Sequence, residues 1–169
     1  MIHYPRCLED VSWMDCTESS GKGWQESWSA LERLYAEGVL LAIGVANFNH
    51  QDLSELLNIS YQVPHVVQNW FDPLHQDSEV RALCDIHEIV YQAYSTLRFL
   101  EGGKPHPAYT EVMKQVDYVA AKTGQTRQSV LLRWALDERV AVLARSGNEV
   151  RRSRIKRIKK SPKKSLYLS

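Results

Sequence analysis

Two spacings of apolar residues alternate along the chain. From Trp24 they fall at helical intervals (Trp24, Trp28, Leu31, Leu34, Tyr35) until Gly38 stops the pattern. Leu41, Ile43 and Val45 then follow strand spacing, which predicts a strand over residues 42–46 that ends in the turn Asn47-Phe48-Asn49. Residues 52–58 return to a short helix with Leu53, Leu56 and Leu57 on one face. Pro64 introduces a buried strand over 65–69. Asp77 or Ser78 is placed to cap the next helix, whose Val80, Leu83, Cys84 and His87 share a face. Residues 89–94 read as a strand ending at Ser95-Thr96. Gly102, Gly103, Pro105 and Pro107 mark a loop. Helices over 109–123, ended by Gly124, and 127–138, opened by Thr126, lead to a last strand over 140–144. At the start, Met1-Ile2-His3-Tyr4-Pro5 reads as the stub of a strand closed by Pro5. Residues 6–23, polar and carrying Gly21 and Gly23, read as a loop.

Helix and strand thus alternate, with four strands plus a stub. This order predicts an α/β chain with a parallel sheet or barrel. Such folds place polar groups at the carboxyl ends of their strands, which directs attention to the Asn-rich turn Asn47-Phe48-Asn49.

At 169 residues the chain suffices for one core but not for a complete (β/α)8 barrel, which takes about 250. No apolar run approaches the roughly 20 residues of a membrane span, and no leader pattern opens the sequence. Cys7, Cys16 and Cys84 are odd in number and lack metal-ligand spacing. A reduced, cytoplasmic chain is the expectation.

The net charge of +1 conceals a split. The first 150 residues carry all 20 acidic side chains against 12 basic ones; the last 19 carry 9 basic residues and no acid.

Several stretches, in order, resemble the second half of an aldo-keto reductase, an NADP-dependent oxidoreductase domain. They are I-H-Y-P, W-S-A-L-E-R-L-Y-A-E-G-V-L-L-A-I-G-V-A-N-F, V-V-Q-N-W-F-D-P-L, Q-A-Y-S-T-L, G-Q-T-R-Q-S-V-L-L-R-W-A-L and V-A-V-L-A-R-S-G-N-E-V-R. Together they span residues 1–152, and their shared order and spacing make the match specific. The resemblance implies a partial (β/α)8 TIM barrel over 1–152, followed by a basic tail over 153–169.

It also implies roles. His3 matches the active-site histidine that polarises the substrate carbonyl. Asn47 and Gln68 match the residues that hold the nicotinamide carboxamide, and Tyr94 the aromatic residue that stacks on the nicotinamide ring. Ser95 and Leu97 match the pyrophosphate loop. Arg145 and Ser146 match the pair near the adenosine 2′-phosphate, with Asn148 and Arg151 as the polar positions that follow. Two departures stand out: Ala46 replaces a serine, and Thr96 a common proline.

The implied cofactor is NADPH and the implied reaction is hydride transfer to an aldehyde or ketone. The family's catalytic tyrosine, lysine and aspartate have no matching positions in these 169 residues. Losing the proton donor forfeits a factor of about 10²–10⁴. The small carbonyl substrate would therefore need an N-terminal half, or another chain, to complete the barrel. Ile43, Val45, Val66, Val90 and Val142 would otherwise lack opposing layers.

Plainer roles stand beside these. Asn47 can cap a turn, Gln68 can satisfy backbone groups, Tyr94 can be core, and Trp24, Trp28, Leu31 and Leu34 read as helix packing. His50, His65, His75, His87 and His106 show no metal-ligand spacing, and Cys84 reads as buried and inert. A nucleotide-binding half barrel without catalysis is one alternative. An interaction module acting through the basic tail is another. That tail suits a disordered end, a sequence artefact, a nucleic-acid patch or a nuclear import signal.

Overall fold

The computed structural model describes residues 1–6, 23–100 and 107–145, with the single positions 149, 153, 155 and 158. Its elements in chain order are α1 (Trp24–Ala36), β1 (Gly44–Ala46), α2 (His50–Ile59), β2 (Val66–Trp70), α3 (Ser78–Ile86), β3 (Val90–Tyr94), a 3-10 turn (Arg98–Leu100), α4 (Pro107–Thr123), α5 (Arg127–Asp137) and β4 (Ala141–Val142). The residues fall into two compact units, Met1–Asn69 with Asp77–Tyr91, and Trp70–Gln76 with Gln92–Ser169.

In the first unit β1 and β2 pair in parallel, from Gly44 opposite Val66 to Ala46 opposite Gln68. The Val90 N–H of β3 donates to the His65 carbonyl at 3.0 Å. In the second unit Gln92 and Ala93 oppose Ala141 and Val142, again in parallel. The strands therefore follow chain order, β1-β2-β3-β4.

The predicted stub is one rung. Ile2 N–H donates to Gly44 O at 3.0 Å and Ile2 O accepts from Ala46 N–H at 2.8 Å, a parallel bridge with Val45.

β1 is shorter than the predicted 42–46. Ile43 N–H donates to the His65 Nδ1 imidazole nitrogen at 3.2 Å instead of to a strand carbonyl, and Leu41 is 92% exposed. β4 is shorter than the predicted 140–144. Val140 N–H is used to close α5, on Ala135 O at 3.0 Å, and β4 gains only one further rung, Leu143 N–H to Ala93 O at 2.8 Å.

Pro107, expected in a loop, is the first residue of α4, a position where a missing N–H costs nothing. α2 starts two residues before the predicted helix because Asn49 caps it. The Asn49 side chain accepts from Asp52 N–H at 2.9 Å and the Asp52 carboxylate accepts from Asn49 N–H at 3.2 Å.

Asp77 does occupy the N-cap position of α3, but with a left-handed backbone (φ 48°) and no capping bond. Its carboxylate instead accepts from Asn69 Nδ2 and from the Tyr91 hydroxyl, both at 2.8 Å. On α3 Val80 and Cys84 are buried, whereas His87 is exposed.

Burial alternates along β2 and β3, as a strand's twofold period requires. Val67, Asn69, Tyr91 and Ala93 are buried. Val66, Gln68, Gln92 and Tyr94 are half-buried and Val90 is exposed. Of the five residues expected to face a barrel interior, Ile43 and Val45 are buried, Val66 and Val142 half-buried, and Val90 51% exposed.

In the first unit Trp24 meets Phe48 edge-on at 5.2 Å between ring centroids. In the second, Phe71 stacks on Trp134 at 4.9 Å. Val116, Val130 and Leu131 form a cluster that Leu97, Leu100, Val112, Val119 and Ala120 pack against.

Helices α1, α3 and α5 end in the same way. A left-handed residue (Gly38, Glu88, Arg139) is followed by an N–H that reaches back five residues. For α3 that bond is Ile89 N–H to Cys84 O, 2.8 Å. A side-chain-bearing residue pays about 1–2 kcal/mol for this conformation. Glycine avoids that cost but adds roughly 0.4–1 kcal/mol of unfolded-state entropy. Glu88→Gly is therefore expected to stabilise the protein by about 0.5–1 kcal/mol, read from the urea midpoint.

Candidate active site

Three of the expected site residues meet at the carboxyl end of β1 and β2, in the first unit. Asn47 follows β1 directly and takes a left-handed backbone (φ 59°), a conformation that asparagine tolerates better than most residues. Its N–H donates to Gln68 O at 3.0 Å, and its side-chain Nδ2 donates to His3 O at 2.8 Å. One residue thus ties the third strand position of β2 to the segment carrying His3.

The His3 ring is exposed and lies 4.5 Å from the Tyr4 ring. Arg6 pairs with the buried Asp52 carboxylate at the start of α2, a second anchor for the same segment. Ala46 is fully buried, so the position that resembles a serine offers only a methyl group.

The second unit holds another set. Tyr94 ends β3, half-buried, with its carbonyl accepting from Phe71 N–H at 3.3 Å. Ser95 is left-handed (φ 58°), like Asn47 one residue past its own strand. Leu97 packs against the Val116, Val130 and Leu131 cluster. Thr96 is buried and its hydroxyl has no hydrogen-bond partner among the described residues, as suits a position where the resembled family carries an apolar ring. Arg145 is exposed beyond β4. Ser146, Asn148 and Arg151 lie outside the described residues, as do Cys7 and Cys16 and most of the basic tail.

No motif or spacing pointed to the node at Asp72. This carboxylate is buried. It accepts from Trp70 Nε1 at 3.0 Å, from the Tyr109 hydroxyl at 2.9 Å, and from the backbone N–H groups of Leu74 and His75 at 2.8 and 3.0 Å. Burial, then the bond to Asp72, pushes the Tyr109 phenol up to about 12. In the first unit, burial and Asp77 push the Tyr91 phenol well above the ordinary tyrosine range.

Among the described residues no group of His, Cys, Asp and Glu is arranged to hold a metal ion. None of their helices is long and apolar enough to cross a membrane.

The family model for the Aldo/keto reductase family matches residues 1–163. The chain belongs to the aldo/keto reductase family. Dihydrodiol dehydrogenase 3 of Bos taurus is 32% identical over 163 residues, which cover 89% of this chain and 50% of that protein. An aldo-keto reductase of Mycobacterium sp. (strain MCS) is 35% identical over 126 residues, 73% of this chain and 41% of that protein.

Among solved structures, an aldo/keto reductase from Brucella melitensis superposes with a TM-score of 0.71 at 26% identity. The match covers 93% of this chain and 52% of that one. A Gox0644 variant in complex with NADPH superposes with a TM-score of 0.67 at 26% identity, covering 79% and 46%. The chain therefore spans about half the length of these family members, and its four parallel strands with flanking helices correspond to part of their barrel.

Proposed function

We propose that this chain supplies the nucleotide-facing part of an NADPH-dependent aldo/keto reductase, with His3 as its contribution to carbonyl polarisation. The observation that carries this reading is the bonding of Asn47 to both His3 and Gln68 at the ends of β1 and β2.

The donor chemistry fits the cofactor. Asn47 and Gln68 are both primary amides, and a carboxamide ring substituent is recognised by groups that offer a donor and an acceptor. Asn47 spends its donor end on His3, which fixes the orientation of the amide. Gln68 sits on the less buried face of β2, the face toward which a ligand would be held. Tyr94 is the residue for ring contact, Ser95 and Leu97 for the phosphates, and Arg145 with Ser146, Asn148 and Arg151 for the adenosine end.

NADPH would supply a hydride, and the chain's own residues would bind and orient. A tyrosine, lysine and aspartate from outside these residues would complete proton transfer. Reduction of aldehydes or ketones is thus assigned to the completed barrel. The basic tail plays no part in this scheme.

Titrating NADPH into the full chain is expected to quench tryptophan fluorescence saturably. Asn47→Ala or Gln68→Ala should weaken the interaction about three- to tenfold, the worth of one hydrogen bond. No quenching up to roughly millimolar NADPH, a free energy of about −4 kcal/mol, would remove the proposal. Aldehyde-dependent NADPH oxidation should appear once a segment bearing the missing tyrosine, lysine and aspartate is added.

A further inference from the structure

The start of β1 is held by a side chain. Ile43 and His65 sit one position before the first register pair, Gly44 opposite Val66, and they exchange two bonds. His65 N–H donates to Ile43 O at 2.9 Å, as in any parallel ladder, whereas Ile43 N–H donates to the His65 imidazole at Nδ1, 3.2 Å away. The other ring nitrogen, Nε2, lies 3.3 Å from the Tyr35 hydroxyl of α1, with 4.8 Å between the two ring centroids. The His65 carbonyl accepts from Val90 N–H of β3. One half-buried residue of the first unit thus meets β1, β3 and α1.

This arrangement fixes where the imidazole carries its proton. A ring nitrogen that accepts an N–H has no proton of its own, so the proton sits on Nε2, from which it is donated to the Tyr35 hydroxyl. A second proton, at Nδ1, turns the acceptor into a donor aimed at the Ile43 N–H. Ile43 is buried, so that N–H gains little from water in exchange.

Few other ionisable groups surround the ring. Glu32, one turn before Tyr35 on α1, is committed to the N–H groups of Tyr61 and Gln62 at 2.8 and 2.9 Å. Tyr61 itself is fully exposed. Residues 40–46 and 63–67, on either side of the contact, carry no ionisable side chain except His65. Toward β3, His87 and Glu88 are exposed, and the Tyr91 hydroxyl is bonded to Asp77.

We propose that His65 is a proton-sensitive latch on β1: with Nδ1 bare it closes the start of the strand onto β2, and with both ring nitrogens protonated it releases the Ile43 N–H. Histidine in an unfolded chain takes up its second proton at about pH 6.5. Nothing in the unfolded chain opposes that uptake, so on acidification the unfolded state binds more protons than the latched one. Stability therefore falls as pH drops below about 6.5, and above it this contribution is constant. The inference concerns the start of β1 alone and holds whether or not the chain binds NADPH.

Amide hydrogen exchange and urea unfolding of the full chain, followed from about pH 7.5 down to about 5, test it. Protection of the Ile43 N–H, corrected for intrinsic exchange, is expected to fall about three- to tenfold over that range, the worth of one hydrogen bond. The Asn47 N–H, bonded to the backbone carbonyl of Gln68, should keep its protection. His65→Asn puts an amide oxygen in the place of Nδ1 and cannot titrate. That variant should hold Ile43 protection constant and show an unfolding constant that rises about three- to tenfold less on acidification than the parent's.

Unchanged Ile43 protection in the parent, or the same pH dependence in the parent and in His65→Asn, overturns the proposal. Should His65→Asn fail to fold, nitrogen NMR of the parent decides. A single ring proton on Nε2 at neutral pH, with Ile43 protection lost as Nδ1 becomes protonated, supports the latch; a proton on Nδ1 at neutral pH removes it.

Discussion

Replacing Asp72 by alanine is expected to cost about 3–5 kcal/mol, a large share of the stability of a domain this size. The carboxylate collects four donors: the Trp70 indole N–H, the Tyr109 hydroxyl, and the N–H groups of Leu74 and His75. Each buried donor left without a partner costs roughly 1–3 kcal/mol. Tyr109 and the exposed turn can recover water, so the total falls short of four full penalties. Asp72→Asn keeps an acceptor of the same shape and should lose about half as much. Urea denaturation, with near-ultraviolet dichroism reporting on Trp70, reads both variants. A loss below about 1 kcal/mol for Asp72→Ala would show that the turn holds itself without the carboxylate.

The second large effect belongs to Gly44. A Cβ built there would lie 2.4 Å from the Val66 carbonyl oxygen and 3.2 Å from Val66 C and Cβ. Those atoms belong to the paired strand, so no side-chain rotation relieves the clash. Gly44→Ala must push β1 and β2 apart along their ladder, at an expected cost of about 3 kcal/mol or more.

Gly38 provides the control. It has φ 73° but nothing within 4 Å of an added Cβ. Gly38→Ala should therefore cost only the left-handed backbone, about 1–2 kcal/mol. Equal losses at the two positions would mean that strand contact is not what requires glycine at Gly44.

Local signals in the sequence were enough for most of the elements. Gly38, Gly124 and Thr126 mark helix ends by backbone chemistry that needs no tertiary partner, and the structure places helix boundaries beside all three. The turn positions Asn47 and Ser95 were legible for a related reason, since an apolar strand stopping at a polar residue exposes a carboxyl end.

What could not be read depends on distant partners. β1 starts late because His65, 22 residues on, takes the Ile43 N–H. Asp77 is no cap because Tyr91 and Asn69 claim its carboxylate. Asp72 resembles any aspartate before a proline until Tyr109, 37 residues away, is seen to reach it.

The environment of Cys84 has a chemical consequence. This thiol is buried, and burial, with Asp77 and Asp85 nearby, pushes its pKa up to about 12. At neutral pH the nucleophilic thiolate is then scarce. Peroxides, electrophiles and glutathione disulfide all react through that species, so they should leave this sulfur untouched for as long as α3 stays packed. Such insensitivity would come from the helix's surroundings and would require no protecting partner.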